Sequence, residues 1–243
     1  MKLLIIRHGE PDYTIDSLTE KGKREAELLA DRLCREDIDD FYVSPLGRAR
    51  DTARPTLARL GREAEVLPWL EEFRGTIIEP NSGKRRIPWN LSPQYWTRQP
   101  EFYDRDRWAE NGLYRAGDVE EVYRETAAGL DALLERYGYA RHGGLYRCPD
   151  NGKATVALFC HFALGMTILS YLLGVSPVVM WHGFFLPTSS VTTLVTEERA
   201  KGEVFFKCAQ MGDTSHLYAA GEPVSPSGLF AECYGEPGTE EAR

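Results

Sequence analysis

Two arginines and two histidines stand where short apolar runs stop. Lys2–Ile6 is nearly continuous apolar sequence and runs into Arg7-His8-Gly9-Glu10. Phe41-Tyr42-Val43 runs into Ser44-Pro45-Leu46-Gly47-Arg48, and Ala154–Cys160 runs into His161. The planar fork of a guanidinium group matches the oxygens of a phosphoryl group. An imidazole flanked by such groups stays neutral, because neighbouring positive charge disfavours the imidazolium. A neutral ring has one nitrogen free to attack, while a hydrogen bond fixes the other. Phosphoryl transfer asks a protein for in-line positioning and neutralisation of the equatorial oxygens. It also asks for an acid when the leaving group is an alkoxide. A carboxyl group beside a bound phosphate dianion has its pKa raised, which suits that task.

The elements that would bring these residues together can be read from the pattern. Apolar runs without alternation read as strands buried on both faces of a parallel sheet. Ala26, Leu29, Ala30 and Leu33 repeat with helical spacing, and Thr19 is placed to cap that helix. Ser44-Pro45 reads as an N-cap followed by proline, opening a helix through Ala49, Ala53 and Leu57 that Pro55 should kink or shorten. A third helix is expected from about Asp118 to Tyr137, and a buried one over Met166–Leu173. Val191–Thr196 and Val204–Ala209 read as further strands. The order predicts an α/β three-layer sandwich, a mainly parallel central sheet flanked by helices. Open sheets of this kind bind ligands beyond the carboxyl ends of their strands. If the three strands are parallel neighbours, Arg7, His8, Arg48 and His161 meet at one edge.

Between about residues 74 and 117 the rhythm breaks. Pro80, Pro88, Pro93 and Pro100 punctuate a stretch that carries Trp89, Trp96 and Trp108, as a cap insertion does. The tryptophans either wall the substrate or pack the insertion onto the domain. From about residue 221 the chain is rich in Gly, Pro, Ser and Glu and reads as a loosely packed tail. The whole of 1–243 reads as one domain with these two additions.

Composition narrows the function further. The net charge of −8 argues against a nucleic-acid partner, which would call for a basic face. No apolar run approaches about 18 residues, so no membrane span is expected. The five cysteines Cys34, Cys148, Cys160, Cys208 and Cys233 are odd in number, widely spaced and without C-x-x-C, which reads as reduced thiols in the cytoplasm. No zinc, P-loop or dinucleotide pattern is present, so no metal and no cofactor are expected. The sequence assigns no oligomeric state.

The same residues resemble the signature of the histidine phosphatase superfamily, with its phosphoglycerate mutase-like fold. Arg7-His8-Gly9-Glu10 has companions in the family's order. Leu18-Thr19-Glu20-Lys21-Gly22 is similar to "LTxxG", and Ser44–Ala53 to "SPLxRAxxTA". Leu70-Glu71-Glu72-Phe73-Arg74-Gly75 is a compressed "LxExxxG", and Gly117–Val122 is similar to the family's "GES" helix start. Cys160-His161-Phe162 stands at the second histidine, and Gly212–Leu217 resembles "NDTxHL". The resemblance implies that His8 is the nucleophile and that Arg7, Arg48 and His161 hold the phosphoryl oxygens. It makes Glu71, four residues before Gly75, the proton donor, with Glu72 taking that role if the compression shifts the register.

The function implied is a metal-independent phosphomonoesterase acting on a small phosphorylated substrate through a phosphohistidine. A phosphoglycerate mutase is the first alternative. The run after Leu70 lacks the Glu-Arg-His-Tyr-Gly of cofactor-dependent mutases, and no asparagine follows Glu10 in the first loop. A non-catalytic phospho-ligand binding protein on the same fold is the second. Glu10 is expected to be structural or orienting, His182 and His216 to be packed, and His142 to be exposed.

Overall fold

The computed structural model describes residues 1–78, 83–149 and 152–229. Pro80, Cys233 and the tail beyond Leu229 lie outside the described residues. Its centre is an eight-stranded sheet built from β1 (Lys2–Arg7), β2 (Asp40–Val43), β3 (Glu65–Val66), β4 (Ala140–His142), β5 (Leu145–Arg147), β6 (Thr155–Cys160), β7 (Val191–Ala200) and β8 (Glu203–Asp213). The spatial order is β3-β2-β6-β1-β7-β8-β5-β4.

The first four of these strands are parallel to one another, and each pairing from β1–β7 onward is antiparallel, so the sheet is mixed. Local sequence explains the division. Strands β7 and β8 are joined only by Lys201 and Gly202, and Gly202 has φ +76°, which a two-residue hairpin accommodates. The parallel strands are joined through helices, as their handed crossovers require.

Helices α1 (Glu20–Leu33) and α2 (Gly47–Leu60) cover one face of the sheet. Leu4 and Ile6 of β1 pack there with Leu29, Leu33, Ala49 and Ala53. Leu3 and Ile5 point the other way, toward α3 (Val119–Glu135) and α4 (Phe162–Leu173), as the two-residue period of a strand dictates. Thr19 caps α1 as expected, its side chain accepting from the Gly22 N–H. The opening of α2 differs from expectation. The helix starts at Gly47 with Leu46 as N-cap, and the Ser44 hydroxyl, which accepts from Leu46 N, also bonds to His161. The helix also runs on through Pro55 to Leu60.

The insertion is tied down by its aromatics. Trp108 is only 4% exposed and meets Tyr114, Tyr123 and Trp181. Trp96 packs on His182 of α5 (Pro177–Gly183), and the Leu91 N–H donates to His182 Nε2. Trp89 packs against Phe73. All three tryptophans pack the insertion onto the domain, against Phe73, Tyr123, Trp181 and His182.

Among the described residues no helix is long and apolar enough to cross a membrane.

Candidate active site

Register brings the three strand ends level. Arg7 of β1 lies opposite Cys160 of β6, and Phe159 of β6 lies opposite Val43 of β2. Beyond the last pairs the backbone stays stitched: His8 N donates to the Cys160 carbonyl at 3.0 Å, and Ser44 N to the Phe159 carbonyl at 2.9 Å. His8 and His161 therefore emerge side by side, their ring centroids 5.2 Å apart. His161 is also the N-cap residue of α4, so the positive end of that helix faces the same place.

The chain leaving His8 is pinned against α1 and α2. Gly9 N donates to Thr52 Oγ1 at 2.8 Å. A Cβ on Gly22 would come within 2.2 Å of the Glu10 carbonyl oxygen, so only glycine allows the loop this close to the helix. The His8 Nδ1–H donates to the Gly9 carbonyl at 2.7 Å, which fixes the tautomer and leaves the Nε2 lone pair free. Burial, then Arg7 and Arg48, hold the His8 pKa well below the usual imidazole value, so the ring is neutral. Burial, and the positive charges of Arg48 and Arg7, do the same to His161.

Each arginine is buried and held from outside. Arg7 Nη1 donates to the Leu186 carbonyl at 2.6 Å and Nη2 to the Ser227 carbonyl at 3.2 Å. Arg48 Nη1 donates to Asp16 Oδ1 at 2.6 Å, and Asp16 Oδ2 accepts from Gly47 N at the start of α2. Among the described residues, Arg7 Nε, Arg48 Nε and His161 Nδ1 are buried without any hydrogen-bond partner. Buried polar atoms left unmatched are uncommon, and these three belong to three of the residues expected to hold a phosphoryl group.

The two carboxylates divide clearly. Glu71 is half exposed and pairs with Arg74. Glu72 turns inward: its Oε1 accepts from Phe73 N at 2.8 Å and from Leu164 N at 3.0 Å. Burial raises the Glu72 pKa, and the two N–H donors, Arg7 and Arg48 offset only part of that rise. The charges of Arg7 and Arg48 are thus felt at Glu72, whose carboxylate is turned toward the start of α4. The short 3₁₀ turn Pro68–Leu70 sets this register, placing Glu72 two residues after the buried Leu70.

Several supporting residues escaped the sequence reading. Ser44 Oγ lies 2.7 Å from His161 Nε2 and accepts from Leu46 N. Glu25 is fully buried, accepting from Glu10 N and from Thr188 Oγ1. Its signal was present, since it interrupts the apolar stripe of α1 between Gly22 and Ala26. Asp16 takes φ +46°, a backbone state its sequence does not announce. Glu10 accepts from Thr19 and Ser225 hydroxyls, an orienting role as expected. His182 and His216 are packed and hydrogen-bonded, and His142 is exposed beside Arg147. The chain after Gly221, expected to be loose, is docked onto Lys21, Glu10 and Arg7 as far as Gly228.

Comparison with known proteins agrees with this arrangement. The model of the histidine phosphatase superfamily (branch 1) matches residues 3–207. Phosphoserine phosphatase 1 of Hydrogenobacter thermophilus is 28% identical over 214 residues, spanning 82% of this chain and 88% of that protein. A phosphoserine phosphatase from Entamoeba histolytica, solved with 3-phosphoglyceric acid, superposes with a TM-score of 0.58 at 21% identity, covering 89% of this chain and 98% of that one. A mycobacterial glucosyl-3-phosphoglycerate phosphatase superposes with a TM-score of 0.57 at 21% identity, covering 88% and 99%. The two solved structures share the fold. With its family match across most of the chain, this protein belongs to the histidine phosphatase superfamily, branch 1.

Proposed function

We propose that the protein is a phosphomonoesterase that hydrolyses a small phosphorylated substrate through a phosphohistidine on His8. The observation that carries this reading is the set of buried, unpartnered groups Arg7 Nε, Arg48 Nε and His161 Nδ1 around a neutral histidine. Three phosphoryl oxygens would satisfy them.

In the first step His8 Nε2 attacks phosphorus. The bond to the ester oxygen breaks, and that oxygen takes a proton from Glu72. In the second step a water oxygen attacks phosphorus, its proton goes to Glu72, and the bond to Nε2 breaks. Inorganic phosphate leaves and both residues return to their starting states. Glu72 takes the role that the four-residue spacing assigned to Glu71, because burial raises its pKa, as a proton donor requires, while Glu71 pairs with Arg74. His161 contributes a hydrogen bond: the Ser44 hydroxyl donates to Nε2, leaving the proton on Nδ1 for a phosphoryl oxygen.

Arg7 and Arg48 supply the charge neutralisation that a metal ion supplies elsewhere, so the reaction requires none. The activities of the Hydrogenobacter and Entamoeba relatives support hydrolysis over mutase chemistry. The free thiols of Cys34, Cys148, Cys160 and Cys208 fit a cytoplasmic location.

The test is hydrolysis of p-nitrophenyl phosphate by the parent chain and by His8→Ala. Loss of turnover in the variant with retained binding of inorganic phosphate is expected, and EDTA should leave the parent rate unchanged. Turnover by the variant would remove His8 as nucleophile.

A further inference from the structure

The chain beyond α6 (Ser215–Ala220) is built into the site by a series of specific contacts. Glu222 pairs with Lys21 at 2.7 Å and with Arg24 at 3.3 Å. Lys21 also donates to the Pro223 carbonyl. Ser225 is buried; its hydroxyl donates to Glu10 Oε2 at 2.5 Å and accepts from Ser227 N at 3.1 Å. The Ser227 carbonyl then meets Arg7 Nη2. Gly228 follows with φ +91°, and a Cβ there would lie 2.7 Å from the same nitrogen.

The consequence concerns the direction of one side chain. A guanidinium group is a rigid plane, so acceptors on both Nη atoms set its orientation. Leu186 supplies the acceptor on Nη1, from the segment before β7. Ser227 supplies the one on Nη2, from the far end of the described chain. With both in place, Nε–H is left buried and unmatched. The rings of Phe162 and Phe185 lie 5.6 Å and 5.3 Å from the guanidinium carbon and limit its tilt.

We propose that the segment Glu222–Gly228 is a positioning strap for Arg7, holding the guanidinium plane so that its unmatched edge faces the phosphoryl group. The proposal rests on the phosphatase reading above. Arg7 would touch the substrate; the strap acts only through Arg7.

Two substitutions in the full chain test it. Glu222→Lys reverses the charge that anchors the strap, and Gly228→Ala puts a methyl group against Arg7 Nη2. For each, KM and kcat on p-nitrophenyl phosphate, the inhibition constant of inorganic phosphate and the melting temperature are measured. The expected result is a rise of about tenfold in both KM and the phosphate inhibition constant, with a smaller fall in kcat and cooperative melting retained. A structural role alone would lower the active fraction, and so kcat, without moving an inhibition constant. Glu222 is on the surface, so that variant still reads the strap if Gly228→Ala does not fold. Unchanged phosphate inhibition in Glu222→Lys with a detached strap, seen as new proteolytic cleavage after Gly221, would overturn the proposal. A rise in kcat/KM would overturn it too, by making the segment a block. If the parent chain neither bound phosphate nor hydrolysed the ester, the phosphatase reading would fail first, and the strap's role with it.

Discussion

The two arginines of the site are held by opposite kinds of partner. Arg7 is held by the carbonyls of Leu186 and Ser227 and rests against two phenylalanine rings. Arg48 is held by the carboxylate of Asp16 and lies near the ring of Tyr13, which is 67% exposed. Carbonyl dipoles orient a guanidinium group without cancelling its charge, so Arg7 offers its full charge to an incoming dianion. A carboxylate at 2.6 Å already satisfies part of the charge on Arg48, and a phosphoryl group must share that arginine with Asp16. On the proposed reading, the difference would make Arg7 the principal charge in the cup and Arg48 one whose strength is adjusted by its neighbour.

The sharpest way to break this contrast is to remove each arginine in turn. Arg7→Ala is expected to lower kcat/KM about 10³-fold and Arg48→Ala about 10²-fold, the range spanned by the loss of single transition-state donors. Equal losses would mean that the partners make no difference.

Partners also separate the carboxylates: Glu72 accepts from two backbone N–H groups, and Glu71 pairs with Arg74. Glu72→Gln should slow hydrolysis of an alkyl phosphate about 10²-fold and of p-nitrophenyl phosphate much less, because a good leaving group needs no proton. Glu71→Gln should change neither. The pH profile carries the matching sign. His8 must be neutral to attack, and its pKa lies well below 6.5, so the acid limb of kcat/KM falls below that value. Glu72 must be protonated to donate, and its pKa lies above 4.5, so the alkaline limb falls above that value. In Glu72→Gln the alkaline limb should disappear. If it persists there and disappears in Glu71→Gln, the proton donor is Glu71.

The smallest effect sharpens the contrast from the other side. Asp16→Asn removes the charge and keeps one of the two acceptor oxygens that Arg48 and Gly47 N now share. Inorganic phosphate should then inhibit about threefold more strongly, a modest change because Asp16 is 44% exposed and its attraction is screened. Weaker inhibition would mean that Asp16 holds Arg48 for the anion and does not compete with it.

What could be read from the sequence follows the same physics. Strand ends are legible because an apolar run that stops at Arg7-His8 or at His161 leaves few other places for those residues. The parallel neighbours β1, β2 and β6 could be inferred from helices lying between them. In the antiparallel half β7 and β8 are legible as strands but β4 and β5 are not, since Ala140–Arg147 is a short, half-exposed hairpin with little apolar pattern. The proposed choice of Glu72 over Glu71 rests on one residue of register after the 3₁₀ turn Pro68–Leu70, which the sequence pattern does not fix. Ser44 reads as a helix cap because serine before proline commonly is one; its contact with His161 spans a sequence separation of 117. The strap was hidden for a different reason. A stretch rich in Gly, Pro and Ser has no apolar face, and its order comes from hydrogen bonds and ion pairs to Lys21, Glu10 and Arg7.

The central claim is a covalent one, and rapid quenching under alkaline conditions reads it directly. The parent chain, mixed with a phosphomonoester and stopped within one turnover, should carry a base-stable, acid-labile phosphoryl group. Peptide mapping should place it on the ring of His8, and His8→Ala should carry none. A quenched enzyme that holds no phosphoryl group at full turnover, or that holds it on His161, would contradict the assignment of His8 as the nucleophile.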